Sequence, residues 1–246
     1  MTKTYNDTTD VAGDAIPMCT LKNFPFQIEH CIEWARDQFE GIFAQSIAEA
    51  RTFARDPAAW IAEWEAEAKK VGPGAARFKS SAVLQVLDAA VAPTWEHCVH
   101  QARLRFEDVF AARIKQLLHN FPEGKLPANG TPFWSGKKRM PQAAGFDADD
   151  PLHCQYVAHG AALFASSLGV ALPSNWADPD SLAKHAATAP VPVWAPRQEV
   201  IKTDEDGDDV KEGAADDEAA TQQAAERLAQ HAARPGEPAG SRHAVR

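Results

Sequence analysis

Apolar residues in this chain recur at intervals of three and four, and no segment sustains the alternation of two that a half-buried strand needs. The chain is therefore read as all-α. After Phe24-Pro25, the residues Ile28, Ile32, Ala35, Phe39 and Ile42/Phe43 keep this rhythm and predict an amphipathic helix ending near Phe43. Asp56-Pro57 reads as a cap followed by Pro at the first helical position. It opens a helix carrying Trp60, Ile61, Trp64 and Ala68, which Gly72-Pro73-Gly74 stops. A third helix is expected over 76–90, with Val83, Leu84, Val86 and Leu87 on a broad apolar face. Pro93 starts the fourth and longest, running to about His119. Pro151 begins a fifth, through Tyr156 and Phe164 to about Leu168, where Gly169 suits the C-terminal stop. Residues 121–150 hold Pro122, Gly124, Pro127, Gly130, Pro132, Gly136 and Pro141, and read as one long Pro/Gly-rich loop.

Capacity for burial is uneven along the chain. Leu, Ile, Val and Phe number 47 in 246 residues, about 19%, near the level where order gives way. Only Val200, Ile201, Val210, Leu228 and Val245 of these lie beyond residue 198, while all seven Trp lie before it. The body is expected to bury a core and the tail is not. Residues 199–218 hold ten acids against Lys202 and Lys211, so most of the net charge of −9 belongs to this run. It reads as a solvated acidic linker. The Ala/Gln/Glu stretch 219–233 is expected as an isolated helix, and residues 234–238 as disordered. The division is a lead-in segment at 1–24, a helical body at 25–198, and an acidic, low-complexity tail at 199–246.

These properties exclude several classes. An acidic chain with a near-neutral body argues against nucleic acid as the main partner, since phosphate binding needs a basic face. No apolar run approaches 18 residues, so no membrane span is expected. Residues 1–14 are polar and carry no secretory signal. Four Cys without a pairing pattern point to a reducing compartment. There is no GxGxxG or GxxxxGK[ST] phosphate cradle. His97-Cys98-x-His100 and His153-Cys154 follow neither the CxxC nor the HExxH spacing, and neighbours on a helix point about 100° apart, so no metal site is assigned. Cys98 and Cys154 fall on apolar helical faces and read as core thiols. Trp60 and Trp64 read as a core stripe, and His30 and His119 as surface or capping residues.

Cys19 is different. It lies in a non-helical segment ahead of the first helix, with Lys22 nearby, and both a helix N-terminus and a cation favour thiolate over thiol. Spacing alone leaves an ordinary exposed loop cysteine as the commoner reading, and no base is identifiable.

The residues around it carry more. Ile16-Pro17-Met18-Cys19-Thr20-Leu21-Lys22-Asn23-Phe24-Pro25, with Ile28-Glu29-His30 and Trp34-Ala35-Arg36-Asp37, closely resembles the active-cysteine segment of ubiquitin-activating enzymes. Further blocks follow in the family's order: Ile114-Lys115-Gln116-Leu117-Leu118-His119-Asn120-Phe121-Pro122, then Gly130-Thr131-Pro132-Phe133-Trp134-Ser135-Gly136-x-Lys138-Arg139-x-Pro141, then Phe146-Asp147 with Pro151-Leu152-His153. The resemblance covers roughly residues 4–200, and residues from about 219 resemble nothing identified.

The resemblance implies the second catalytic-cysteine half-domain, a helical insert within an adenylation region. It implies Cys19 as the nucleophile that forms a thioester with the ubiquitin C-terminus, and a ubiquitin-conjugating enzyme as the acceptor. Thr20 and Lys22 match the positions flanking the nucleophile and are expected to support transfer. ATP and Mg²⁺ belong to the family's adenylation modules, which this sequence does not contain, so no cofactor is expected in the chain and adenylation by the chain alone is not expected. Ubiquitin, conjugating enzymes and adenylation domains are the implied partners, and cytoplasm and nucleus the implied location. The alternative reading is a non-catalytic helical module that binds a conjugating enzyme or a ubiquitin-like protein.

Overall fold

Four of the helices begin where a short polar side chain turns back onto the first turn. The computed structural model describes residues 24–71, 73–91, 93–124, 132–197, 201 and 214–233. Among these there is no strand. The helices are α1 (Ile28–Phe39), α2 (Ser46–Arg55), α3 (Pro57–Val71), α4 (Pro73–Ala90), α5 (Trp95–Phe106), α6 (Arg113–Asn120), α7 (Pro151–Leu168), α8 (Pro179–Ala187) and α9 (Ala214–Ala232). Asp56 Oδ1 accepts from the Ala59 amide at 3.0 Å, Asp150 Oδ1 from Leu152 at 2.8 Å, and Asp178 Oδ2 from Ser181 at 2.9 Å. Each of these aspartates precedes a Pro at the first helical position, where the missing N–H has no partner to lose. Thr94 Oγ1 caps α5 by accepting from the His97 amide at 3.1 Å.

The first helix does not end near Phe43. A π-helical turn, Glu40–Gln45, carries it into α2 and on to Arg55, and the Ser46 hydroxyl donates to the Gly41 carbonyl within that turn. A second π turn, Glu107–Ala112, joins α5 to α6. Such turns take in an extra residue and rotate the apolar face that follows. The Gly72-Pro73-Gly74 stop is narrower than expected, since α4 begins at Pro73 itself. The apolar stripe Ile28, Ile32, Ala35 and Phe39 of this amphipathic helix does not face a core. Ile28, Ile32 and Phe39 are 66%, 62% and 50% exposed, while His30 on the other side of α1 is buried.

Two cores carry most of the body. The first joins Cys98, Val99, Ala102 and Phe106 of α5 to Cys154, Val157, Ala158, Ala161 and Ala165 of α7, with Leu182 and Ala186 of α8 closing it. Small residues let α5 and α7 approach closely: an added Cβ at Gly160 would lie 3.2 Å from Ala102 Cβ. Part of the long loop is laid across this core, with the Ala144 amide donating to the Phe110 carbonyl at 2.8 Å and Phe146 edge-on to Phe106.

The second core corrects the reading of the tail. Ala50, Phe53, Trp60, Trp64, Val83 and Leu84 from α2, α3 and α4 enclose Ala224 and Leu228 of α9, and Leu228 is fully buried. Over 214–232 the tail is neither an isolated helix nor unable to join a core. Trp60 and Trp64 are core residues as expected. Their indole N–H groups donate to Glu49 Oε2 and to the Ala76 carbonyl, each at 2.8 Å. An N–H buried in an apolar core requires such an acceptor.

Candidate functional site

Cys19, Thr20 and Lys22 lie outside the described residues, whose first is Phe24. The surroundings of that point are well defined. Phe24 is buried among Leu117 and Phe121 at the end of α6 and Phe133 from the long loop, with Trp134 and Ile201 packed against them. Its ring meets Phe121 and Phe133 edge-on at 6.4 and 5.8 Å, and those two rings stack on each other at 4.0 Å. The Trp134 indole donates to the Phe121 carbonyl at 2.7 Å and ties loop to helix. Phe24 lies more than ninety positions from Leu117 and 177 from Ile201, so no local spacing could group them.

Cations cover this aromatic platform. Lys138 Nζ stands 4.7 Å from the Phe133 ring centre and 5.6 Å from that of Phe24, and Lys137 Nζ 5.2 Å from that of Phe26. A cation over an aromatic face is held by the ring quadrupole. The two lysines are presented by a turn at Gly136, whose φ of 61° is a conformation that glycine adopts without a Cβ clash. His30 Nδ1 accepts from the Phe26 amide at 3.3 Å and fixes the approach to α1, the capping role expected of it. This hydrogen bond places the ring proton on Nε2.

The far end of the body returns to the same place. Gln116 of α6 is buried and holds the Arg197 main chain at both groups: its Oε1 accepts from the amide at 3.0 Å, and its Nε2 donates to the carbonyl at 2.9 Å. Phe24 and Ile201 thus share one cluster, so the body begins and closes at a common point. Gln116 lies in a recognised sequence block, yet nothing in that block discloses this clamp.

The other thiols have different surroundings. Cys98 has no exposed surface, and burial pushes its pKa up to about 11. The Cys154 pKa is also raised, first by burial and then by the carboxylates of Asp150, Asp147 and Asp149, and its thiol donates to the Ala148 carbonyl at 3.1 Å. Both are core thiols held from ionising, as their helical faces predict. Cys31 is exposed on α1. His100 Nε2 meets Thr188 Oγ1 at 2.9 Å, and His153 Nδ1 accepts from the Asp147 amide at 3.1 Å, so these histidines brace loops. Among the described residues no three His, Cys, Asp or Glu side chains gather to hold a metal ion. No described helix is long and apolar enough to cross a membrane.

The family model of the ubiquitin-activating enzyme SCCH domain matches residues 25–243, a span that includes α9. A wheat protein named ubiquitin-activating enzyme E1 2 is 35% identical over 222 residues, covering 89% of this chain and 21% of its own length. Ubiquitin-like modifier-activating enzyme 1 of Dictyostelium discoideum is 36% identical, covering 83% of this chain and 19% of its own length. The human protein of that name is 35% identical over 81% of this chain and 18% of its own length. The chain spans about a fifth of the length of these curated relatives. The stretch beyond residue 219, unplaced by its sequence blocks, therefore lies within the matched domain. Through this match the chain belongs to the ubiquitin-activating enzyme family, in the stretch that forms its SCCH domain, the second catalytic-cysteine half-domain.

Proposed function

We propose that Cys19 is the nucleophile of this domain and carries ubiquitin as a thioester. The observation that supports this most directly is the sequence block around Cys19, since exposure by itself leaves Cys31 on α1 as another accessible thiol. Cys98 and Cys154 are buried and held from ionising, whereas Cys19 sits in the family's cysteine segment, five residues before the anchored Phe24. The Cys19 thiolate attacks the C-terminal carbonyl of ubiquitin held as an acyl-adenylate; the S–C bond forms as the C–O bond to AMP breaks. The thiolate of a conjugating enzyme then attacks the thioester, takes the acyl group, and leaves Cys19 free for another cycle. A thiol suits this task because thiolate is strongly nucleophilic and its ester remains reactive.

Thr20 and Lys22 support the transfer in this reading. The aromatic platform holds Phe24, five residues after Cys19 in sequence. In this reading adenylation is the work of the ATP- and Mg²⁺-using modules of the longer family enzymes. Ubiquitin, those modules and conjugating enzymes are the partners, in cytoplasm and nucleus.

The test is a non-reducing gel. The chain is incubated with ubiquitin, ATP and Mg²⁺, alone and joined to the adenylation modules of a relative. The joined protein should form a ubiquitin band that a reducing agent removes and that Cys19→Ala abolishes. Retention of that band in Cys19→Ala would refute the assignment. A band from the chain alone would refute its dependence on the modules. Unchanged yield in Thr20→Ala and Lys22→Ala would remove their supporting role.

A further inference from the structure

The two main cores share no residue, and each belongs to its own set of helices. One set is α5, α7 and α8; the other is α2, α3, α4 and α9. Polar ties reinforce each set from within. Lys79 of α4 pairs with Glu67 of α3 at 3.1 Å and with Glu49 of α2 at 3.7 Å, while Asp88 of α4 holds His231 of α9 at 2.8 Å. In the other set, His100 of α5 meets Thr188 at the end of α8. The first helix goes with α5: the Trp34 ring lies 6.2 Å from Phe110, and Gln38 Oε1 accepts from Arg105 at 2.8 Å. Its continuation, α2, places Ala50 and Phe53 in the other core. One unbroken helical run thus passes from one set to the other, and the π turn Glu40–Gln45 lies at the crossing.

That turn is the weak point of the run. A regular helix is stiffened by bonds from each N–H to the carbonyl four residues back. Here the Ser46 amide and hydroxyl both reach the Gly41 carbonyl, five residues back, and helices bend sharply at such places. None of the six residues of the turn is buried, and a Cβ added at Gly41 would meet nothing within 4 Å. The second π turn, Glu107–Ala112, differs in both respects. Its Val109 and Ala111 are buried, and its Asp108 pairs with Arg105 before it and Arg113 after it, so it is braced from both sides. Phe43 of the first turn rests on Phe164 of α7, ring centres 4.9 Å apart, which gives that turn a bearing on one set only. The chain crosses between the sets again at Pro93 and Thr94, which lie outside helices, and once more between residues 201 and 214, outside the described residues. We propose that the π turn Glu40–Gln45 is a hinge on which α2, α3, α4 and α9 swing as one body against α1, α5, α7 and α8. The hinge does not depend on the role of Cys19.

Residual dipolar couplings of the isotope-labelled full chain, weakly aligned in a dilute liquid crystal, test it. Amides of α1, α5, α7 and α8 are fitted to one alignment tensor, and those of α2, α3, α4 and α9 to another. Bodies that swing against each other align to different extents, so the two tensors should differ in magnitude. The couplings of α1 should follow the first tensor and those of α2 the second, with the change falling at residues 40–45. Gly41→Ala replaces the freest residue of the turn by the best helix former and has open space for its methyl group, so it should fold as the parent does. In that variant the difference between the tensors should shrink or be lost. A single tensor that fits every helix of the parent would overturn the proposal and make the π turn a fixed bend. Couplings of α2 that follow the tensor of α1 would overturn it too, as would a difference that Gly41→Ala leaves unchanged.

Discussion

Asp88, near the end of α4, accepts a hydrogen bond of 2.8 Å from His231 Nε2 at the end of α9, 143 positions away in the chain. The same carboxylate receives the Arg227 guanidinium. This polar clasp sits beside the fully buried Leu228, so the two sources of docking differ in kind. Burial of a leucine is worth a few kcal/mol, whereas a half-exposed ion pair is worth well under that. Leu228→Ala should therefore weaken the α9 contact by about 2–4 kcal/mol. Asp88→Ala should cost about 1 kcal/mol or less. Hydrogen exchange of the α9 amides would measure both, and a larger loss in Asp88→Ala would contradict this ranking.

Gly160 faces Ala102 where α5 and α7 come closest, and an added Cβ would already lie 3.2 Å from Ala102 Cβ. Gly160→Val should force the helices apart and lower stability by about 1–3 kcal/mol. Thermal melting would show it as a drop in Tm. An unchanged Tm would mean that the interface yields more readily than its small residues suggest.

Cys98 sets a pH dependence. Burial raises its folded pKa to about 11 from an ordinary value of 9.0, so the folded state favours the neutral thiol. The contribution is fully present below pH 9. It is lost as pH rises towards 11, because the unfolded chain ionises first. Across that window the native protein should lose about 2 kcal/mol more stability than Cys98→Ala does. Denaturant melts of both proteins at pH 8 and pH 10.5 would test this, and parallel losses would refute it.

Gln116 closes the body by holding both main-chain groups of Arg197. Gln116→Ala should leave those groups without this partner and cost about 1–3 kcal/mol. Exchange of the Arg197 amide should accelerate while the α5–α7 core keeps its protection. Accelerated exchange throughout would instead assign Gln116 to global stability.

Phe24 anchors the chain five residues after Cys19, so Phe24→Ala should cost about 3–5 kcal/mol through loss of the aromatic cluster. In the enzyme joined to adenylation modules it should also lower the rate of thioester formation. A normal rate in a protein shown by melting to have lost that stability would separate the anchor from the chemistry.

How much of this was legible depends on how far apart the interacting groups lie. Asp56-Pro57 and Pro151 announced their helices because capping is settled within three residues. Asp178-Pro179 carries the same signature and opens α8, but its nine residues with one Leu fall short of a recognisable apolar period. The first π turn was hidden because it rotates the apolar face, from exposed Ile32 and Phe39 before it to buried Ile47, Ala50 and Phe53 after it, so the apolar rhythm reads as stopping there. The family was legible through its ordered blocks of sequence, whereas the aromatic cluster around Phe24 was not.

The sequence by itself determined that the chain is helical, where most helices start, which thiols are core thiols, and which family it belongs to. These depend on local capping, on periodicity and on ordered motifs, all of which can be read along one dimension. Only the tertiary structure decided that α9 completes the second core, that the α1 stripe faces outward, and that Phe24, Phe121, Phe133 and Ile201 meet at one point. A hydrophobic period says that a helix has an apolar face, but not what that face meets. The partner is chosen by packing between distant segments, and a sparse Ala-rich helix with one well-placed Leu can fill a groove that its composition alone would not predict.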